Sequence, residues 1–241
     1  MTGKTHLGFG VMTGLGVYLT QNPTAPIEHI AVAIGISAIA SLAPDLDEAK
    51  SLLSTRMAPF ADKIRMLILC IGFLLIGYHF MMGHLAYLYI GIAVVFAGSY
   101  LKRTKIRRII LLVIGIGFLL IGFSREMWWL SIVGGYVAIA PWLPHRGFTH
   151  TLWSLGIWAG IGWGIEQQLG IEGLMWVTVA GYLSHLLTDS LTEGGIRWLW
   201  PLYKKPLRIP LMRVGSRWSK HLEKYLLGGY SVAVVLWIWV K

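Results

Sequence analysis

The chain has little of what a soluble protein needs. Charged residues fill 13% of its 241 positions against 56% for hydrophobic ones, and the mean hydropathy is +0.64. A soluble domain cannot hide that much apolar surface, so the composition points to an integral membrane protein. Cysteine is nearly absent. Cys70 stands alone inside an apolar run, which excludes an internal disulfide and leaves the redox compartment unread. No H-E-x-x-H occurs, which argues against the common helical metalloprotease site. The first apolar stretch follows Lys4 and His6 and runs into QNPTAPIEH without a small-residue cleavage pattern, so the N-terminus is expected to be retained.

What is abundant is apolar sequence in lengths that cross a bilayer. A helical span needs about 17 to 25 residues. Nine are expected, near residues 5–20, 27–43, 64–82, 84–100, 107–123, 126–142, 149–168, 173–192 and 225–240. The expected fold class is all-α, a polytopic transmembrane helix bundle forming one membrane-embedded domain over 1–241. Gly8, Gly10, Gly14 and Gly16 lower the helix propensity of the first span but let neighbouring backbones approach closely.

Acidic residues are scarce too, 11 against 21 Lys and Arg. With the N-terminus placed in the cytoplasm, only Arg125 and Lys241 of those basic residues fall outside, as the positive-inside rule requires. Adding or removing one middle span would scramble this segregation. The net charge of +10 therefore reads as a cytoplasmic coat facing anionic lipid heads, and nucleic acid is not an expected partner. The heptapeptide IGFLLIG occurs at 71–77 and again at 116–122, each time after a Lys-Ile-Arg triplet. A duplicated helical hairpin over 64–142 is the expected reading.

The remaining polar residues gather at the inner ends of spans. His6 opens the first; Asp45 and Asp47 close the second; His145, Arg146 and His150 lie between the sixth and seventh; His185 and Asp189 end the eighth. His185 and Asp189 are four apart, which puts imidazole and carboxylate on one helix face where they can share a metal ion. Asp45 and Asp47 follow Pro44, where a helix should be ending. Taken alone, each piece has a structural explanation: a helix-packing hydrogen bond, a solvated loop, a headgroup anchor or a cap. Four ligand-competent segments at one membrane face favour a bound divalent ion, because ionisable groups there are costly unless paired or metal-bound. Mixed His and Asp ligands suit zinc, manganese or iron better than calcium. His29, His79 and His84 fall on the outer side and His221 in the basic loop; HFMMGH at 79–84 is better explained as a tight turn than as a soft-metal site.

In order, His6, PDLD (44–47), HRGFTH (145–150), SHLLTDSLTEGG (184–195) and WLWPLYKKPLRIPLMRVGS (198–216) resemble the membrane-bound metal-dependent hydrolase family, also described as LexA-binding and inner membrane-associated. The matching pieces span almost the whole chain, with the repeated hairpins resembling an insertion, and HRGFTH is the most specific of them. The resemblance implies a multi-pass inner-membrane protein from a bacterium or archaeon, with His6, Asp45, Asp47, His145, His150, His185 and Asp189 as metal ligands. Glu48 departs from the histidine that often follows Asp-x-Asp in that family, and Thr151 from a serine.

The function expected is a metal-dependent hydrolase at the cytoplasmic membrane surface, acting on a phosphoester or lipid-derived ester. Zinc is the first choice of metal, with manganese and iron next. Asp47 or Glu48 would be the general base, and Arg146 would neutralise an anionic small-molecule or lipid substrate. The broken, basic and aromatic stretch within 193–224 would lie at the interface as a flap beside the site. The alternative is a metal-binding membrane regulator or scaffold without turnover, whose protein partner the sequence does not specify. A transporter is disfavoured because its site would lie near the bilayer midplane.

Overall fold

The computed structural model describes residues 1–240, apart from the Arg217 side chain. Among the described residues the chain forms nine α-helices: α1 Gly3–Gln21, α2 Ile27–Leu42, α3 Leu52–Met82, α4 Leu85–Tyr100, α5 Arg103–Ser124, α6 Trp128–Ile139, α7 Leu152–Leu169, α8 Leu174–Ser190 and α9 Arg217–Val240. Short 3-10 turns at Pro44–Asp47, Ala140–Trp142 and Phe148–His150 join them. Two helical stretches, within Pro44–Met82 and over Arg103–Ser124, are long and apolar enough by themselves to cross a membrane; Ile27–Leu42 and Leu85–Tyr100 are shorter apolar helices.

Helix α8 occupies the centre. It packs against α1, α2 and α7, and its residues are buried along most of its length. Such contact needs small side chains at the crossings. Gly10 and Gly14 of α1 lie directly against Ser41 and Ser37 of α2, where any Cβ would collide, and Ser37 Oγ donates to the Gly10 carbonyl at 2.6 Å. Gly8 and Gly16 face the other way, against Leu227 and Val234 of α9. The glycines that weaken α1 as an isolated helix are thus what allow two neighbours to pack on it.

The α3–α4 and α5–α6 hairpins stand beside this bundle. Each closes on a glycine pair: a Cβ on Gly91 would lie 2.8 Å from the Gly72 carbonyl, and one on Gly134 would lie 2.5 Å from that of Gly115. The repeated heptapeptides do not use the same positions. Gly72 is packed whereas its counterpart Gly117 meets nothing within 4 Å, and Gly77 is open whereas its counterpart Gly122 abuts Ser131.

Several helix ends differ from the expected spans, among them those of α3, α9 and α6. α3 starts at Leu52 rather than near 64, where Ser51 caps it by accepting from the Ser54 amide at 3.2 Å. α9 starts at 217 rather than 225, with Ser216 Oγ accepting from the Ser219 amide at 3.0 Å. α6 stops at Ile139, before Pro141. Caps and proline set where a helix ends; hydropathy marks only the part that is apolar.

Between α8 and α9 the chain makes a strap, folded back on itself rather than loose. The Ile209 amide donates to Ser190 O (2.8 Å), Leu211 N to Leu191 O (3.1 Å), and Leu207 and Ile196 exchange backbone bonds of 2.8 and 3.2 Å. Gly195 makes the turn at φ 58, in the left-handed region, and a Cβ there would strike the Leu207 carbonyl.

Candidate metal centre

The ends of α1, α2, α7 and α8 bring six of the expected ligands together. His6, Asp45 and His185 form one group, Asp45, His145 and His150 a second, and His150, His185 and Asp189 a third, with the ligand atoms of each within 4.8 Å of one another. His6 and His185 stack with ring centroids 3.8 Å apart.

Hydrogen bonds fix the inward face of each imidazole. His185 Nδ1 lies 2.7 Å from the Ser41 carbonyl, an acceptor only, so Nδ1 carries the proton. Thr188 Oγ1 gives its proton to the His185 carbonyl (3.0 Å) and therefore accepts from His6 Nδ1 at 2.9 Å. Thr149 Oγ1 gives its proton to Asp47 Oδ2 (2.7 Å) and accepts from His150 Nδ1 at 3.0 Å. In the neutral imidazoles, three Nε2 lone pairs are left directed at carboxylates. His185 Nε2 is 3.6 Å from Asp45 Oδ1 and 3.9 Å from Asp189 Oδ2; His150 Nε2 is 3.7 Å from Asp189 Oδ2 and 4.0 Å from Asp45 Oδ1; His6 Nε2 is 3.2 Å from Asp189 Oδ1.

His150 Nε2 and His185 Nε2 are buried and have no hydrogen-bond partner. Lone pairs facing carboxylates repel unless a cation lies between them. Zinc bonds of about 2.0–2.2 Å give a tetrahedral edge of about 3.4 Å, so the His150 and His185 separations of 3.6–4.0 Å are a few tenths of an ångström wider than a closed site, whereas His6 at 3.2 Å is slightly inside it. The donor set fits a divalent ion, and the hydroxyls and the carbonyl behind the imidazoles are the kind of partners that orient metal-bound histidine.

Asp47 stands apart from the three groups. Its side chain is fully buried, Oδ1 is 2.9 Å from His145 Nδ1, and Oδ2 takes the Thr149 hydroxyl. Glu48 is at the rim, with Oε2 3.5 Å from His145 Nε2 and Oε1 accepting from the Lys50 amide at 2.8 Å. Burial raises the Asp45 carboxyl above the ordinary carboxylate range; His185 opposes the shift and Asp189 adds to it. For His145, burial acts to lower the pKa, but the hydrogen bond to Asp47 and the charges of Asp47, Glu48 and Asp45 outweigh it and raise the net value. Arg146 has φ 58, unusual outside glycine. Its guanidinium donates to the Gly195 carbonyl (2.9 Å) and Thr192 Oγ1 (3.3 Å), and lies 3.4 Å from Asp189 Oδ2.

A family model described as YdjM inner membrane protein matches residues 1–241. The chain belongs to the YdjM inner membrane protein family. Two relatives named inner membrane protein YdjM, from Escherichia coli (strain K12) and Shigella flexneri, are each 31% identical to it over 115 residues, 42% of this chain and 50% of theirs. The chain thus spans about half the length of the curated relatives it matches. No solved structure shows a significant match. Membership of the YdjM family makes this an inner membrane protein; the name carries location, not chemistry.

Several residues that shape this candidate site in the YdjM-family chain carry no mark of that role in the sequence. Thr149 and Thr188 set imidazole tautomers, and nothing in their spacing sets them apart from ordinary helix-end threonines. Arg107, counted only as part of the basic coat, is buried in α5, and its Nη1 donates to Ser54 Oγ (2.6 Å) and the carbonyls of Leu46 (3.2 Å) and Glu48 (3.3 Å). It clamps the turn that carries Asp45 and Asp47. The α5–α6 hairpin, expected to be a structural insertion, therefore reaches the site. Tyr182 OH donates to the Thr149 carbonyl and is paired with Tyr136 OH at 2.9 Å, holding the loop from below. His79 and His84 form a turn: His79 Nδ1 is 3.0 Å from the His84 carbonyl, and neither histidine belongs to a candidate metal group among the described residues.

Proposed function

We propose that this chain is a metal-dependent hydrolase of the inner membrane, working at the cytoplasmic face on a phosphoester or lipid-derived ester. The observation that carries the reading is the pair of buried, unpartnered Nε2 atoms of His150 and His185 facing Asp45 and Asp189. His6 and His145 extend the ligand set on either side, and zinc suits it best, ahead of manganese or iron. A divalent ion held by these residues would lower the pKa of water to about 7 and polarise the scissile group.

The protein's own groups divide the remaining work. Glu48 is the better candidate general base, because it is partly exposed beside His145 whereas both oxygens of Asp47 are engaged. Asp47 holds His145 and, through Thr149, His150 in position. Arg146 borders Asp189 and offers planar donors to an anionic oxygen entering from the rim. The open side of the site lies here: the His145 side chain is 36% exposed while those of His150 and His185 are 0%.

One observation favours the regulator reading. Arg146 is already tied to the strap and to Asp189, which suits a structural latch as well as a substrate contact. Metal content and hydrolysis of phosphoester and lipid-ester substrates separate the two. Arg146→Ala should keep its metal and lose turnover by about 100-fold, and Arg146→Lys should restore little, since a point charge cannot reproduce a two-pronged contact. Full rescue by lysine, or metal-loaded wild type without turnover on a broad substrate set, would leave the regulator. For the orientation, cysteines placed in 101–106 and 204–220 should label from the cytoplasm, and those at Asn22 or Gly170 from outside.

A further inference from the structure

Helices α1 and α9 run parallel, in a register set by Thr5 against Glu223, Thr13 against Tyr230 and Gly16 against Val234. Three cavities follow this seam. The inner one, about 420 Å³, is lined by Lys4, Lys220, His221, Lys224, Thr5 and Glu223. Two more, about 450 and 410 Å³, flank the Thr13–Tyr230 contact and are walled mainly by apolar side chains, among them Phe9, Val17, Leu183 and Val234. One turn of α9, from Leu227 to Tyr230, leads from the first to the others.

The inner cavity has an unusual donor balance. Lys4, Lys220 and Lys224 are exposed and form no ion pair with a carboxylate among the described residues. Glu223 is 2% exposed; its Oε2 accepts from the Thr2 amide (3.0 Å) and Thr5 Oγ1 (2.7 Å), while Oε1 is buried without a partner. A buried carboxylate oxygen needs a donor. A ligand that satisfies the pocket therefore carries an anion for the lysines and, next to it, a hydrogen-bond donor for Glu223. The apolar grooves beyond call for a tail.

We infer that the α1–α9 seam is a binding site for one glycerophospholipid with a donor in its headgroup, such as ethanolamine or glycerol. The phosphate lies against Lys4, Lys220 and Lys224, the headgroup N–H or O–H on Glu223 Oε1, and the acyl chains in the two grooves. A free phosphate would use the lysines but leave the grooves and Glu223 unexplained, whereas a lipid uses all three. The positive coat draws anionic lipid to this face in general; the seam selects one molecule from it. Nothing in this depends on the hydrolase reading.

Native mass spectrometry of delipidated, detergent-held protein tests it, with phosphatidylethanolamine, phosphatidylglycerol, phosphatidylcholine and glycerol 3-phosphate as probes. Wild type should take up one phosphatidylethanolamine or phosphatidylglycerol saturably. The double variant Lys220→Ala/Lys224→Ala should bind it at least tenfold more weakly, while Lys102→Ala/Lys105→Ala, which removes the same charge elsewhere, should not change it. Ala233→Trp, which fills a groove, should also weaken binding. Glu223→Gln should erase a preference over phosphatidylcholine, which has no headgroup donor. Glycerol 3-phosphate binding as tightly as the lipids, or graded uptake lowered equally by both lysine pairs, would overturn the site.

Discussion

The central bundle and the lateral hairpins are built from equally apolar sequence, yet they bury opposite things. In α8 the polar residues Thr178, Ser184, His185, Thr188 and Asp189 are inside, whereas in α3–α5 large apolar residues such as Leu74, Phe80, Phe96 and Phe123 are outside. In a bilayer an exposed phenylalanine faces lipid and costs nothing, while every polar group needs a partner from the protein. The candidate metal ligands therefore collect where helices cover one another, and the hairpins supply only what reaches inward, chiefly Arg107.

The largest test of that contrast is metal binding. His185→Ala or Asp189→Asn should lower bound metal at least tenfold by elemental analysis of purified protein, whereas His79→Ala, in the last turn of α3, should leave it unchanged. Equal loss in all three variants would erase the distinction between the regions.

Packing sharpens the comparison next. Gly14→Leu drives a side chain into Ser37, and overpacking of this kind costs about 1–3 kcal/mol or more, so thermal unfolding in detergent should come several degrees lower. Gly117→Leu meets open space on the lipid side and should change the midpoint little.

Arg107 tests whether the hairpin takes part in the site. Arg107→Ala should weaken metal affinity about tenfold, in the range of orienting partners behind a ligand, by releasing the 44–48 turn. Arg103→Ala removes the Arg103–Asp62 contact, a 2.6 Å pair whose arginine side chain is 65% exposed, and should move affinity and stability very little.

The smallest effect should come from Thr188→Val. It keeps the shape but removes the acceptor that holds the proton on His6 Nδ1, so metal affinity should fall by a few-fold while Thr178→Val, away from the site, leaves it unaltered.

Much of this architecture could be read directly from the chain. Apolar run length is a local property, so nine segments were countable, and the approximate span of each survives in the nine helices. The expectation that His6, Asp45, Asp47, His145, His150, His185 and Asp189 share one side follows from span counting alone, because every second span returns the chain to the same face. Helix ends were less legible: α3 and α9 extend beyond their apolar cores on the strength of serine caps.

What only the tertiary structure decided is which atoms point where. The proton on His185 Nδ1 depends on a carbonyl of α2, that on His6 on a hydroxyl of α8, and the position of Asp45 on an arginine of α5. Whether Asp47 faces the candidate metal position or stands behind it likewise depends on Thr149 and His145, about a hundred residues away. Hydropathy and spacing determine that a helix crosses and which end is polar, because they act through neighbouring residues and the solvent. The direction of a lone pair is set by a partner from a different helix, and no local pattern encodes that.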